Sequence, residues 1–180
     1  MYVIKGVAYG LKDVQNMGEE HGRVELSTIS ITSQVNLADP LLLDSEDRLI
    51  TRHRNSNQLV GYPSPQKLRS FYDSLTSFEE LRGDLFSVGM VALQLVYLDQ
   101  DVSVLYTNPN PSYRNYTIDF ERLNKMIDSI LDQRVRQAIG VLTSMDSRKR
   151  MGIFEMLRSM PIDENRVGLL NPEERSGKNQ

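Results

Sequence analysis

The sequence predicts a mainly α domain built around one buried helix, with a small β-hairpin at its edge. Three observations carry that expectation. Residues 85–98 read "LFSVGMVALQLVYL", apolar on nearly every side, which marks a helix enclosed by others. Apolar residues recur at helical spacing on either side of it, over 3–17 and again over 118–131, 133–145 and 150–159. Only the stretch 28–39 alternates as strands do, "TISIT" and then "VNLAD".

In chain order, the first helix places Ile4, Val7, Ala8, Leu11 and Val14 on one face and stops at Gly18. The hairpin sets Ile29 and Ile31 on one face of its first strand and Val35 and Leu37 on the second, with a two-residue turn at Ser33-Gln34. Residues 44–66 are polar, show no sustained period and read as a long loop. "QKLRSFYDSL" at 66–75 suits a short helix. The central helix is expected over 84–98, with Asp84 as its N-cap accepting the first backbone N–H groups. "VSVLYTNPNPSYRNYT" at 102–117 reads as a Pro/Asn connection to the later helices. From Pro161 the chain reads as an extended tail with a small apolar hook at Val167, Leu169 and Leu170.

With 180 residues, 39% of them apolar and 25% charged, the chain has material for one domain with a real core. A net charge of −3 leaves no electrostatic footprint for nucleic acid. There is no cysteine, which excludes disulfides and thiolate metal sites, and His21 and His53 are too few for a histidine metal centre. The apolar run at 85–98 is too short and too interrupted to span a bilayer. "MYVIKGVAYG" lacks the pattern of a secretion signal, so an intracellular protein is expected.

Five stretches follow one another in order: "GLKDVQNMGEEHGRVEL" (10–26), "VNLADPLLL" (35–43), "GYPSPQKL" (61–68), "GDLFSVGMVALQL" (83–95) and "VLTSMDSRKRMGIFEML" (141–157). Their order and spacing resemble the C-terminal lobe of the protein-kinase fold, over roughly residues 3–158. His21 matches the His of the H-R-D-L-x-x-x-N loop, and Asp39 the Asp of D-F-G. Pro65 matches the Pro of A-P-E, with Gln66 in place of its Glu. Asp84, Ser87 and Gly89 are in register with the family's central helix, and Asp146 and Arg150 with its closing segment. Each motif alone is weak; the five together are specific.

The departures bear on function. In the family the loop Asp takes the substrate hydroxyl proton, the Lys steadies the transferred phosphate, and the Asn holds a Mg²⁺. Arg23, Glu25 and Thr28 stand at those positions here. A guanidinium never deprotonates and cannot serve as a base. Glu25 repels phosphate, and Thr28 is a poorer metal partner than an amide carbonyl. Losing the base alone costs about 10²–10⁴ in rate. The sequence also holds no G-x-G-x-x-G turn and no V-A-I-K strand, so the resemblance implies a C-lobe with the ATP-covering N-lobe absent.

Asp39 alone is a weak Mg²⁺ ligand. The resemblance puts it in one cleft with Arg23, so an Arg23–Asp39 ion pair is expected in place of a metal. Pro40 and Leu41 stand for the Phe and Gly of D-F-G. His21 reads as a packed core histidine. Asp84, Gly89, Gln66 and Arg150 read as structural: Asp84 holds the loop backbone, and Gln66 is a weaker acceptor for Arg150 than the family's Glu. Glu19 and Glu20 occupy positions that the family commonly keeps apolar, either through altered exposure or as a solvated pair.

The resemblance thus implies a kinase-like C-lobe at 1–160, divided into leading helix and degenerate hairpin (1–43), activation-type loop (44–66) and helical bundle (67–160), with a tail at 161–180. It implies a chain that is not an enzyme and holds no cofactor or metal. The expected function is a non-catalytic structural or interaction subunit. Its partners are other protein subunits of a larger complex, intracellular and of a cytoskeletal, ciliary or organellar kind. Two alternatives stand beside it: an allosteric regulator of a true kinase, and the C-lobe of an ATP-dependent protein kinase completed by another chain.

Overall fold

Residues 2–32, 34–38, 61–70, 77–108 and 116–159 are described by the structure, a computed structural model, and they are mainly helical. Helix α1 (Tyr2–Asn16) buries Ile4, Val7, Ala8 and Leu11, the stripe read in the sequence. Gly18 ends it in a left-handed conformation, with φ of 79°.

Strands β1 (Ile29–Ile31) and β2 (Val35–Leu37) pair antiparallel, with Ile29 opposite Leu37 and Ile31 opposite Val35. That register leaves residues 32–34 between the strands; Ser33, where the turn was expected, lies outside the described residues. α1 seats β2 closely because two of its positions lack a side chain. A Cβ on Gly6 would overlap Val35, and one on Gly10 would stand 2.9 Å from Leu37 Cβ. β1 is therefore the outer strand, and Ile31, expected on one face with Ile29, is 59% exposed.

Helix α2 (Pro65–Ser70) covers the first part of the helix expected over 66–75; residues 71–75 lie outside the described residues. Helix α3 (Ser77–Val96) is the centre of the molecule, buried at every residue from Gly83 to Gln94. It starts at Ser77, so the expectation that Asp84 is its N-cap is wrong. Inside a helix the neighbouring N–H groups are already bonded, and a buried carboxylate there must find donors elsewhere.

The connection expected over 102–117 carries regular structure at both ends, and its residues 109–115 lie outside the described residues. A 3₁₀ turn (Val102–Leu105) leads into β3 (Tyr106–Thr107), which pairs antiparallel with β4 (Thr117–Ile118). Strands this short carry no readable alternation. Helices α4 (Phe120–Asp128), α5 (Gln133–Leu142) and α6 (Ile153–Ser159) follow within the expected ranges. Two begin on an aspartate cap: Asp119 accepts the N–H of Arg122 at 2.9 Å, and Asp132 that of Arg134 at 2.8 Å.

α1, α2 and α5 pack directly on α3, and α6 lies against α1. The core runs through Leu11, Phe86, Met90, Leu93, Leu123 and Ile139. At Gly89 the α3–α5 approach is closest: a Cβ there would stand 2.7 Å from Thr143 Cγ2 and 2.9 Å from Leu142 Cβ. Asp39, Pro40, Leu41, His53, residues 44–60 and the tail at 161–180 lie outside the described residues. Among the described residues no helix is long and apolar enough to cross a membrane.

Gly89→Ala is expected to lower stability by about 1–3 kcal/mol, the cost of forcing a methyl into a filled core. Gly140→Ala, whose new methyl would meet its nearest neighbour, Ile127, at 3.8 Å, is expected to cost nothing. Urea midpoints at unchanged slope measure both.

Candidate functional site

The connection from α1 to β1 is held by one carboxylate. Asp84, 2% exposed, accepts the backbone N–H of His21 through Oδ2 at 2.7 Å and that of Gly22 through Oδ1 at 2.9 Å. Gly22 has φ of 70°, a left-handed turn that aims two successive N–H groups at one anion. Gly22 stands outside the residues expected at the site, although a glycine directly after the loop histidine is a signal in the sequence. Burial raises the Asp84 carboxyl to about 7, and the charge of Glu20 adds to the rise. The two N–H bonds and Lys67 act against it.

His21 is itself buried. Its Nδ1 accepts the Arg23 N–H at 3.3 Å, and its Nε2 faces the Ala38 carbonyl at 3.2 Å, a pairing that places the proton on Nε2. The ring thereby ties the loop to the end of β2.

Arg23, Glu25 and Thr28 close on one another. Arg23 donates to Glu25 Oε1 from Nε and from Nη2, each at 2.9 Å, and Ser27 Oγ donates to the same oxygen at 2.6 Å. The buried Thr28 hydroxyl donates to the Glu25 carbonyl at 2.9 Å and accepts the Glu25 N–H at 3.3 Å. With side chains 31% and 19% exposed, the Arg23–Glu25 pair contributes modestly to stability, about 0.2–1 kcal/mol. Its chemical effect is larger. The cation is neutralised, and the carboxylate oxygen is occupied by three donors. The expected Arg23–Asp39 pair involves a residue outside the described ones; the partner described for the guanidinium is Glu25.

The segment 61–67 runs beside this loop and is pinned by side chains from α3 and β3. Ser87 Oγ donates to the Tyr62 carbonyl at 2.7 Å, and Tyr106 Oη to the Pro63 carbonyl at 3.0 Å. Ser64 Oγ accepts the Lys67 N–H at 3.1 Å, capping α2. Lys67 forms an ion pair with Glu20, while Glu19 is exposed, so the two adjacent acids have different surroundings. The Glu20–Lys67 pair is a contact that the sequence reading missed, since nothing local relates residues so far apart. Glu20, Lys67, Glu79 and Asp84 help to line a cleft of about 20 Å³, room for one water.

Arg150 forms the second buried charge. It is 2% exposed, donates from Nη2 to Gln66 Oε1 at 2.6 Å, from Nε to the Ser144 carbonyl at 2.9 Å and from Nη1 to the Arg82 carbonyl at 3.0 Å. Its guanidinium lies 5.0 Å from the centre of the Phe86 ring. Burial lowers it to about 10, so it stays charged at neutral pH. Gln66 is engaged at both ends, because its Nε2 donates to the Met145 carbonyl at 2.7 Å. A glutamate here would gain charge toward Arg150 and set an oxygen against a carbonyl. Among the described residues no group of three or more His, Asp or Glu side chains is placed to hold a metal ion.

Gln66→Ala removes the only side-chain acceptor described for Arg150 and is expected to cost about 1.5–3 kcal/mol, the usual worth of a hydrogen bond to a charge. Chemical denaturation at neutral pH measures it. Asp84 gives a pH signature. Its folded value of about 7 lies above the ordinary 3.8, so the folded chain binds more protons between about pH 4 and pH 7. This contribution is therefore fully favourable below pH 4 and is lost as pH rises through 7, by at most about 1.4 kcal/mol per unit. The difference in unfolding free energy between wild type and Asp84→Asn is expected to shrink across that window, followed by urea titration at a series of pH values.

Comparison of the chain with models of known protein families, and with curated proteins, found no match.

Proposed function

We propose that this chain is a non-catalytic, kinase-like C-terminal lobe that serves as a structural or interaction subunit of a larger protein assembly. The observation that carries this reading is the closed network of Arg23, Glu25, Ser27 and Thr28. Phosphoryl transfer needs an open base, a cation free for phosphate and a metal ligand. This loop sets a guanidinium where the base would be, and its carboxylate is held by that guanidinium.

The kinase-like part of the reading draws support from contacts among the residues that carry the resemblance. Asp84 holds the backbone of His21 and Gly22, Gln66 meets Arg150, and Gly89 allows α5 to approach. All of these contacts hold architecture together. A chain that keeps such contacts while its reactive groups cancel one another acts through its surface. A cytoskeletal, ciliary or organellar assembly is the setting proposed for it.

The test has two parts. Native purification from its own cells, with mass determination, is expected to give one large species of fixed composition. Saturating Mg·ATP is expected to leave Tm unchanged; ligand at a hundred times its Kd would add about 2.7 kcal/mol and raise Tm visibly. A free monomer stabilised by Mg·ATP would overturn the proposal.

A further inference from the structure

We propose that the turn closing α3, residues 96–104, is a docking surface for a cationic amphipathic segment of a partner protein. Leu98 is 74% exposed, and Val104 and Val96 are 47% and 41% exposed in the same short stretch. Single exposed apolar residues are ordinary, but these three sit on a turn that is fixed in place. Gln94, buried near the end of α3, donates from Nε2 to the Tyr97 carbonyl at 3.1 Å and to the Gln100 carbonyl at 2.8 Å. Through Oε1 it accepts the Val102 N–H at 3.0 Å. Tyr97 Oη donates to the Met126 carbonyl at 2.7 Å, and Val102 and Leu105 are buried beneath the turn. A surface already held in its bound shape loses little freedom on binding.

Charge decides what covers it. Asp99 and Asp101 are exposed beside Leu98. Asp101 accepts from the Ser103 N–H and hydroxyl, at 2.8 and 2.7 Å. The C-terminal end of α3 adds the negative pole of a long helix. From Gly83 to Asn108 the sequence contains no Lys or Arg. Aliphatic side chains among negative charges, with no cation in their own stretch, match an apolar stripe flanked by Lys or Arg. This deepens the reading as an interaction subunit and rests on it for the existence of a partner.

The probe is a labelled helical peptide of Leu and Lys in amphipathic order, titrated with the full chain by fluorescence anisotropy beside its Leu/Glu counterpart. Saturable binding of the Leu/Lys peptide alone is expected, weakened at least tenfold by Leu98→Ser and by Asp99→Asn. Met17→Ser, exposed just after α1, is expected to bind as wild type. All three positions are exposed, so Tm should not move. Equal binding by wild type, Leu98→Ser and Asp99→Asn would overturn the proposal. So would a wild-type dimer in sedimentation that Leu98→Ser dissolves, since a second copy would then cover the face. Either failure leaves the subunit reading standing, because native mass and Mg·ATP test that separately.

Discussion

Everything above the helical core takes its position from the Asp84 carboxylate. It is buried within α3, where its own helix offers no donor, and it holds the chain at His21 and Gly22. Leaving those two N–H groups without a partner would cost about 1–3 kcal/mol for each. From there the constraint passes outward. His21 reaches Ala38 at the end of β2, and β2 rests on the glycine face of α1. α1, loop and hairpin form one connected strut, anchored to a carboxylate 63 residues beyond His21 in sequence.

A second strut runs through Arg150. A charged guanidinium surrounded by protein is tolerated because carbonyl oxygens and one amide share its protons and an aromatic ring faces it. No carboxylate is described in direct contact with it. The arrangement joins the first turn of α2, α3 and the turn after α5. The two struts meet at α3: Asp84 and Ser87 serve the loop and the segment 61–67, and Phe86 serves the arginine.

Much of the fold was legible where physics is local. Helical spacing found α1 and α4 to α6, Gly18 marked a helix end, and Asp119 and Asp132 supply the caps that aspartate favours. Locality also misled. An aspartate before an apolar run looks like a cap, yet Asp84 serves residues far away in the chain, and α3 passes through it. The exposed Ile31 follows from which strand faces α1, something alternation cannot tell. At the site, opposite charges two residues apart do not meet on a helix, and only an extended backbone sets them on one face. The Arg23–Glu25 contact forms where the backbone at Glu25 is extended, between Gly22 and the 3₁₀ turn at Leu26–Thr28. Gln66 showed its residue type in the sequence but not its second bond.

The Arg23–Glu25 pair also has an evolutionary consequence. A carboxylate introduced alone at position 23 would face Glu25, like charge against like, in a partly enclosed loop. A lysine introduced alone at position 25 would face Arg23 and leave Ser27 without its acceptor. Each single reversal of charge sets like against like, so the two positions are constrained as a pair. The loop thus couples positions 23 and 25: a change of charge at one alters what the other tolerates.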